Sequence, residues 1–218
     1  MNQNFIAYLF CICLFSTTAC SQQVEPLAEH QQSVSNTSLS AQDQLIIKKY
    51  KEKIEQVDLG EPEKLKLSMQ QSLGEIHQIQ DKYEREKMLM NIYLSTAMYQ
   101  EAYELNTKIL KDSPFIANYL MQCELIFQLK KTKQEYEACH AHLAREFQKE
   151  LSILPKDDPE YQYSEWGYLL SMYKAGHDSY QPKLKSFLDK LQDAQIKYQL
   201  QSAYELAVEQ RHSLTKNR

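Results

Sequence analysis

The residues with the most chemical potential in this chain gather at 135–142, where Cys139, His140 and His142 follow Glu135. Cys139 and His142 are three residues apart and share a helix face, with Glu135 one turn earlier. Together with Cys123 they could offer thiolate, imidazole and carboxylate ligands to a metal. The spacing argues for another use. No paired C-x-x-C or H-E-x-x-H occurs and His140 points off that face, so no metal site is expected. Cys123 and Cys139 are equidistant from Lys131, in an expected turn at Lys130-Lys131-Thr132-Lys133, and residues so placed face each other in an antiparallel helix pair. A disulfide needs the two Cα atoms within about 7 Å. In an oxidising compartment it would staple this loop for about 3 kcal/mol. The alternative is a pair of buried thiols packed as small apolar side chains.

Other sequence patterns offer little to catalysis. There is no G-x-S-x-G elbow, P-loop or glycine-rich phosphate cradle. Ser213-Leu214-Thr215-Lys216 matches S-x-x-K but falls in a basic tail, 211–218, that reads as frayed and solvated. His77 and His177 read as helix-surface or terminus residues, and His30 as solvated. The expectation is a protein that binds without catalysing and carries no cofactor. The chain holds 15 Tyr and 1 Trp. Tyrosine is favoured at contact surfaces, which makes Tyr161, Tyr163, Trp166, Tyr168 and Tyr173 the candidate partner-binding patch, with Tyr180 beside them. The competing reading is that they are core.

Positioning these side chains falls to helices. Of 218 residues, 43% are hydrophobic and 25% charged, while only 4 are Gly and 6 Pro. Helix formers dominate and hairpin turn chemistry is nearly absent, so the class is all-α. Lys and Arg, 25 against 29 Asp and Glu, are scattered and not gathered into a stripe. That pattern excludes a nucleic-acid footprint.

Ser40-Ala41-Gln42-Asp43 reads as a capped helix start, followed by Ile46, Tyr50, Ile54 and Val57 at helical spacing and a stop at Gly60. Pro62 opens a second helix carrying Leu65, Met69, Leu73, Ile76 and Ile79 on one face. A third is expected over 83–98 with Leu89, Ile92, Tyr93 and Thr96 inward, and a fourth over 101–111, stopped by Pro114. A further pair covers 116–130 and 134–151. The last segment, 179–209, forms one long helix or two, with Leu184, Phe187, Leu188, Leu191, Ala194, Tyr198, Ala203, Leu206 and Ala207 inward.

The stretch ending at Pro114 resembles a tetratricopeptide repeat. With Pro114 as the closing proline, Leu89, Tyr93 and Ala102 fall on signature positions, and YQEAYELNTKILKDSP is similar to the second helix of that motif. Met90, Asn106 and Ile109 depart from it. A partial echo has Trp166, Leu169 and Tyr173 on the first-helix pattern and Gly176 at its end, with Pro182 where the second helix carries Ala. The resemblance implies stacked antiparallel helix pairs over 41–218, as a tetratricopeptide-like α-solenoid or a short helical array.

At the other end, residues 5–15 read FIAYLFCICLF and are followed by small residues, the pattern of a cleaved export signal over 1–19. The run is short of the roughly 20 apolar residues that a membrane span needs. Ser16-Thr17-Thr18-Ala19-Cys20 resembles a bacterial lipobox, although Thr17 stands where Leu is usual and no Lys or Arg precedes the apolar run. The resemblance implies acylation of Cys20. Two or three acyl chains hold a protein at a membrane where one holds marginally. Ser21 after the cysteine implies, by the sorting rule of such lipoproteins, the periplasmic face of the outer membrane. Residues 21–40 are polar and rich in Gln and Ser, and read as a tether reaching on the order of 25 Å.

These readings converge on an envelope-anchored lipoprotein that binds a protein partner. Its expected role is an adaptor for the assembly or stability of an envelope machine, a secretion system or pilus, by resemblance to tetratricopeptide-like pilotin lipoproteins. The rival readings are an immunity lipoprotein against a periplasmic toxin and a hydrolase acting on cell wall or lipid.

Overall fold

A computed structural model describes residues 39–58 and 60–216. The expected signal 1–19, Cys20 and the tether up to residue 38 lie outside the described residues, as do Leu59 and the last two positions of the chain. Among the described residues every regular element is a helix, and no helix is long and apolar enough to cross a membrane. The chain divides after Ala97 into two compact units, Met1–Ala97 and Met98–Arg218, where the sequence suggested one domain from residue 41 onward. The division falls where a helix stops: the Thr96 hydroxyl donates to the Ile92 carbonyl at 2.7 Å, and Ala97 takes a left-handed φ of 58°. Leu89 and Tyr93 therefore belong to one unit and Ala102 to the other.

The first unit contains α1 (Ala41–Glu55), α2 (Pro62–Gln71), α3 (Leu73–Ile76) and α4 (Lys82–Ser95). The Ser40 hydroxyl accepts from the Asp43 amide at 3.0 Å and starts α1. Asp43 itself turns inward. Its carboxylate accepts the Gln80 and Asp81 amides at 2.9 and 3.2 Å, which fastens the entrance of α4 to α1. The Gln80 bond is the main reason that the Asp43 carboxyl is held below its usual range. The single helix expected from Pro62 is interrupted at Ser72, whose hydroxyl donates to the Ser68 carbonyl at 2.9 Å. Ile76 and Ile79 are nevertheless buried with Ile46, Met69, Met88, Leu89, Ile92 and Tyr93.

The second unit contains α5 (Tyr99–Asp112), α6 (Ile116–Gln128), α7 (Lys133–Ile153), α8 (Pro159–Lys174), a 3-10 turn (Asp178–Tyr180), α9 (Gln181–Lys190) and α10 (Ala194–Lys216). Each of α5 to α8 packs against its successor. Asn106, on α5, one of the departures from the tetratricopeptide pattern, is buried. Its amide donates to the Asn118 carbonyl at 2.9 Å and to Gln122 Oε1 at 2.7 Å, so a polar rung joins α5 to α6. Thr132 and Glu135 make a full capping box at the start of α7.

The α7 and α8 helices run antiparallel. Glu150 meets Ser164, Phe147 meets Gly167, and Glu137 meets Gly176, three contacts nested about one turn. At Gly167 the Phe147 ring occupies the space a Cβ would take, and at Gly176, φ 99°, a Cβ would lie 2.8 Å from Glu137 Oε1. Glycine gives the Phe147 ring its room at 167 and takes the left-handed backbone at 176 without strain.

The segment after Ser179 forms two helices, broken at 191–193, where the Asp193 carboxylate caps α10 through the Gln195 and Ile196 amides. Trp166, Tyr173, Leu184, Leu188, Leu191, Tyr204 and Ala207 form the core under them. Tyr198 and Ala194, expected inward, face solvent, because the phase of α10 is set by Tyr204 and Ala207. The tail expected to fray stays helical to Lys216. Side chains at Gln210 and Arg211 hold it through bonds to Tyr136, Glu124 and Asp178.

Candidate functional site

In the second unit a chain of polar groups crosses four helices. Glu124 on α6 accepts a short ion-paired hydrogen bond from Lys174 on α8, and its other oxygen accepts from Gln210 Nε2 on α10 at 2.9 Å. Gln210 Oε1 in turn accepts from the Tyr136 hydroxyl on α7 at 3.0 Å. The Lys174 side chain is 7% exposed and its ammonium lies 5.7 Å from the centre of the Tyr136 ring. Burial, reinforced by the nearby Glu124 charge, pushes the Tyr136 hydroxyl far above its ordinary range, so it stays a neutral donor.

His140 sits one turn along α7 from Tyr136, fully buried, with ring centres 4.5 Å apart in an edge contact. Among the described residues neither ring nitrogen finds a hydrogen-bond partner. Burial first, and then the Lys174 charge, holds its pKa well below the ordinary imidazole value. It is a neutral packing residue at physiological pH.

The cysteines flanking the α6–α7 turn are joined. Cys123 and Cys139 are disulfide-bonded with Cα atoms 5.5 Å apart and a sequence separation of 16. The bond removes Cys139 from any thiolate chemistry. The other members of the metal set that the sequence allowed are engaged elsewhere: Glu135 takes the Thr132 amide and hydroxyl, and His142 packs edge-on against Tyr119 at 4.7 Å. Among the described residues no group of three or more His, Cys, Asp or Glu could hold a metal. Ser213, of the S-x-x-K match, donates to the Gln210 carbonyl at 2.7 Å. His77 and His177 are exposed.

The candidate partner-binding residues separate. Trp166, 5% exposed, and Tyr173, 6% exposed, lie in the core, so these two are taken off the accessible surface. Their ring area packs against Phe187 and Tyr204, at 5.4 and 6.1 Å between centres. Tyr168 is half-buried, with its hydroxyl 3.0 Å from that of Tyr180, and this bond with partial burial pushes its pKa up to about 12. Tyr161, half-buried, and Tyr163, exposed, lie at the start of α8 beside the α7–α8 turn. Tyr161 lines an open groove of about 550 Å³ with Asp157, Asp158, Glu165, Lys156 and Pro159. Ile153, 80% exposed, ends α7 nearby in sequence.

At the other end of the α7–α8 pair lies a smaller cleft of about 210 Å³. Tyr136, Tyr173, Lys174, Lys133, Asp178 and Arg211 are among its lining residues. The Arg211 guanidinium rests 4.4 Å over the Tyr173 ring, and its Nη1 donates to Asp178 Oδ1 at 2.6 Å. Lys133 pairs with Glu137 at 3.4 Å.

Sequence reasoning missed Glu124, Lys174, Gln210, Asp178 and Arg211. The signal available was phase. Lys174 follows Leu170 at i+4, and Gln210 follows Ala207 at i+3, so each is a polar residue standing in an apolar helical stripe. The partners themselves are 33 to 86 residues apart and no local pattern links them.

Comparison with protein-family models, with curated proteins and with solved structures finds no match for this chain.

Proposed function

We propose that this chain is a lipid-anchored protein of the cell envelope that works by binding another protein, as an adaptor in the assembly or stability of an envelope machine such as a secretion system or pilus. Its helical part is read as a short tetratricopeptide-like array, and Cys20 as its acylated anchor at the periplasmic face of the outer membrane. The observation that carries the binding reading is the edge around the α7–α8 turn, where half-buried Tyr161 lines a groove bearing three carboxylates and Ile153 and Tyr163, close to it in sequence, are exposed. Exposed aliphatic and tyrosine side chains in such company are what contact surfaces use. The Cys123–Cys139 bond supports the compartment, since disulfides persist in oxidising spaces and are rare in the cytosol. The buried polar side chains Glu124, Tyr136, Lys174 and Gln210 are bonded to one another across helices. That engagement supports binding over catalysis.

The test places a photo-crosslinking residue at Ile153, at Tyr163 and, as a control, at Tyr198, which is 71% exposed on α10. Irradiated cells carrying the full chain are expected to yield one discrete adduct from the first two positions and none from Tyr198. Equal yields from all three, or no adduct, would contradict the assignment.

A further inference from the structure

We infer that the cleft between α7, α8 and α10 is a carboxylate-binding site, in which an incoming carboxylate replaces that of Asp178 on Arg211. The site lies at the opposite end of the α7–α8 pair from the groove of Tyr161, and it does not depend on the function proposed for that edge.

The donors are set before any ligand arrives. An ammonium has three N–H donors. Among the described residues that of Lys174 gives one to Glu124, leaving the others on a group that lines the cleft while only 7% exposed. A donor in so dry a place gains strongly from an anionic acceptor. Arg211 carries five donors in a planar fork. Its central carbon lies 4.4 Å from the centre of the Tyr173 ring, and among the described residues the fork makes a single bond, to Asp178.

The two partners of that bond are held unequally. Arg211 is 18% exposed and Asp178 is 82% exposed on a three-residue turn. A fixed cation thus faces a carboxylate free to swing into water. Asp178 marks where the ligand's carboxylate sits, and it is the weak member of the pair because exposed ion pairs contribute little.

Size and charge set the class. A cleft of about 210 Å³ equals roughly seven waters at about 30 Å³ each, below the range of about 300–1,000 Å³ typical of sites for larger ligands. It admits a carboxylate on a short stem: a small organic acid, or the terminus or acidic side chain of a polypeptide. Lys133, Lys174 and Arg211 are balanced by Glu137, Asp178 and the Glu124 behind them. A monoanion that releases Asp178 to water preserves that balance, whereas phosphate overloads it.

The test titrates the full chain at constant ionic strength with sodium acetate, with inorganic phosphate, and with trialanine as free acid and as C-terminal amide, following the Arg211 Nε–H signal by NMR. Acetate and the free-acid peptide are expected to give saturable shifts, with phosphate and the amide at least tenfold weaker. Tighter binding of the peptide than of acetate assigns the site to a polypeptide terminus, and equal binding assigns it to small acids. Asp178→Asn removes the internal competitor and should tighten acetate binding about fivefold, a gain that misfolding cannot mimic. Arg211→Gln should abolish the shift of the remaining cleft signals with the fluorescence of Trp166 unchanged. Weaker or unaltered acetate binding by Asp178→Asn, or phosphate bound as tightly as acetate, would overturn the assignment.

Discussion

Replacing Glu124 by Ala should destabilise the second unit far more than replacing Glu124 and Lys174 together. The single substitution leaves a lysine ammonium, 7% exposed, without its carboxylate, and deprives Gln210 Nε2 of its acceptor. Breaking a buried pair by removing one member costs about 3–5 kcal/mol, whereas exchanging both for apolar residues of similar volume is neutral or even stabilising. For a unit spanning Met98–Arg218 that loss corresponds to a fall in Tm of roughly 10–20 °C. The double variant Glu124→Leu with Lys174→Met should recover most of that loss, falling short of the parent by the about 1–3 kcal/mol of leaving the buried Gln210 Nε2 without its acceptor. The assay is urea unfolding followed by tryptophan fluorescence. The chain has one Trp, and Trp166 lies in the core of this unit, so the signal reports that unit and not the other. A Glu124→Ala cost under about 1 kcal/mol, or a double variant as unstable as the single, would refute the reasoning that the network is a buried charge pair pinning α6 to α8 and α10.

Three further outcomes are expected. Reducing the Cys123–Cys139 bond, which closes a separation of 16 residues, should cost about 3 kcal/mol, read as a lower urea midpoint in dithiothreitol; coincident midpoints would contradict it. His140 has a folded pKa below its unfolded value of about 6.5, so the unfolded chain takes up a proton that the folded chain refuses. Its contribution is intact above pH 6.5 and declines by about 1.4 kcal/mol per pH unit as the pH falls toward the folded pKa. His140→Phe should remove that slope from the pH dependence of the tryptophan midpoint, and an unchanged slope would assign it to other groups. Gly167→Ala should cost about 1–3 kcal/mol by driving a methyl into the Phe147 ring, and Phe147→Leu in the same chain should restore part of that loss.

The all-α class was legible because helix periodicity and the scarcity of Gly and Pro are local properties, and so were turns such as those at Pro114 and Lys130, whereas the first helix ends at Glu55, short of the stop expected at Gly60. The opposition of Cys123 and Cys139 was legible for the same reason: it needs only the position of one turn. Trp166 and Tyr173 could not be assigned to core or surface from type, since amphipathic aromatics serve either, and only the docking of α9 and α10 decides for the core. The break at Ser72 and the two-unit division at Ala97 depend on hydroxyl back-bonding and one left-handed residue, which composition does not announce. The polar network was illegible, because its members are held together by four helices whose mutual packing no local pattern encodes.

The claim on which the functional account rests is that Cys20 is the acylated first residue of the mature protein. Mass spectrometry of the N-terminal peptide of the full chain, purified from membranes of its native host, tests it most directly. The account predicts a peptide that starts at Cys20 and carries acyl chains; an unmodified peptide starting at Met1 would contradict it.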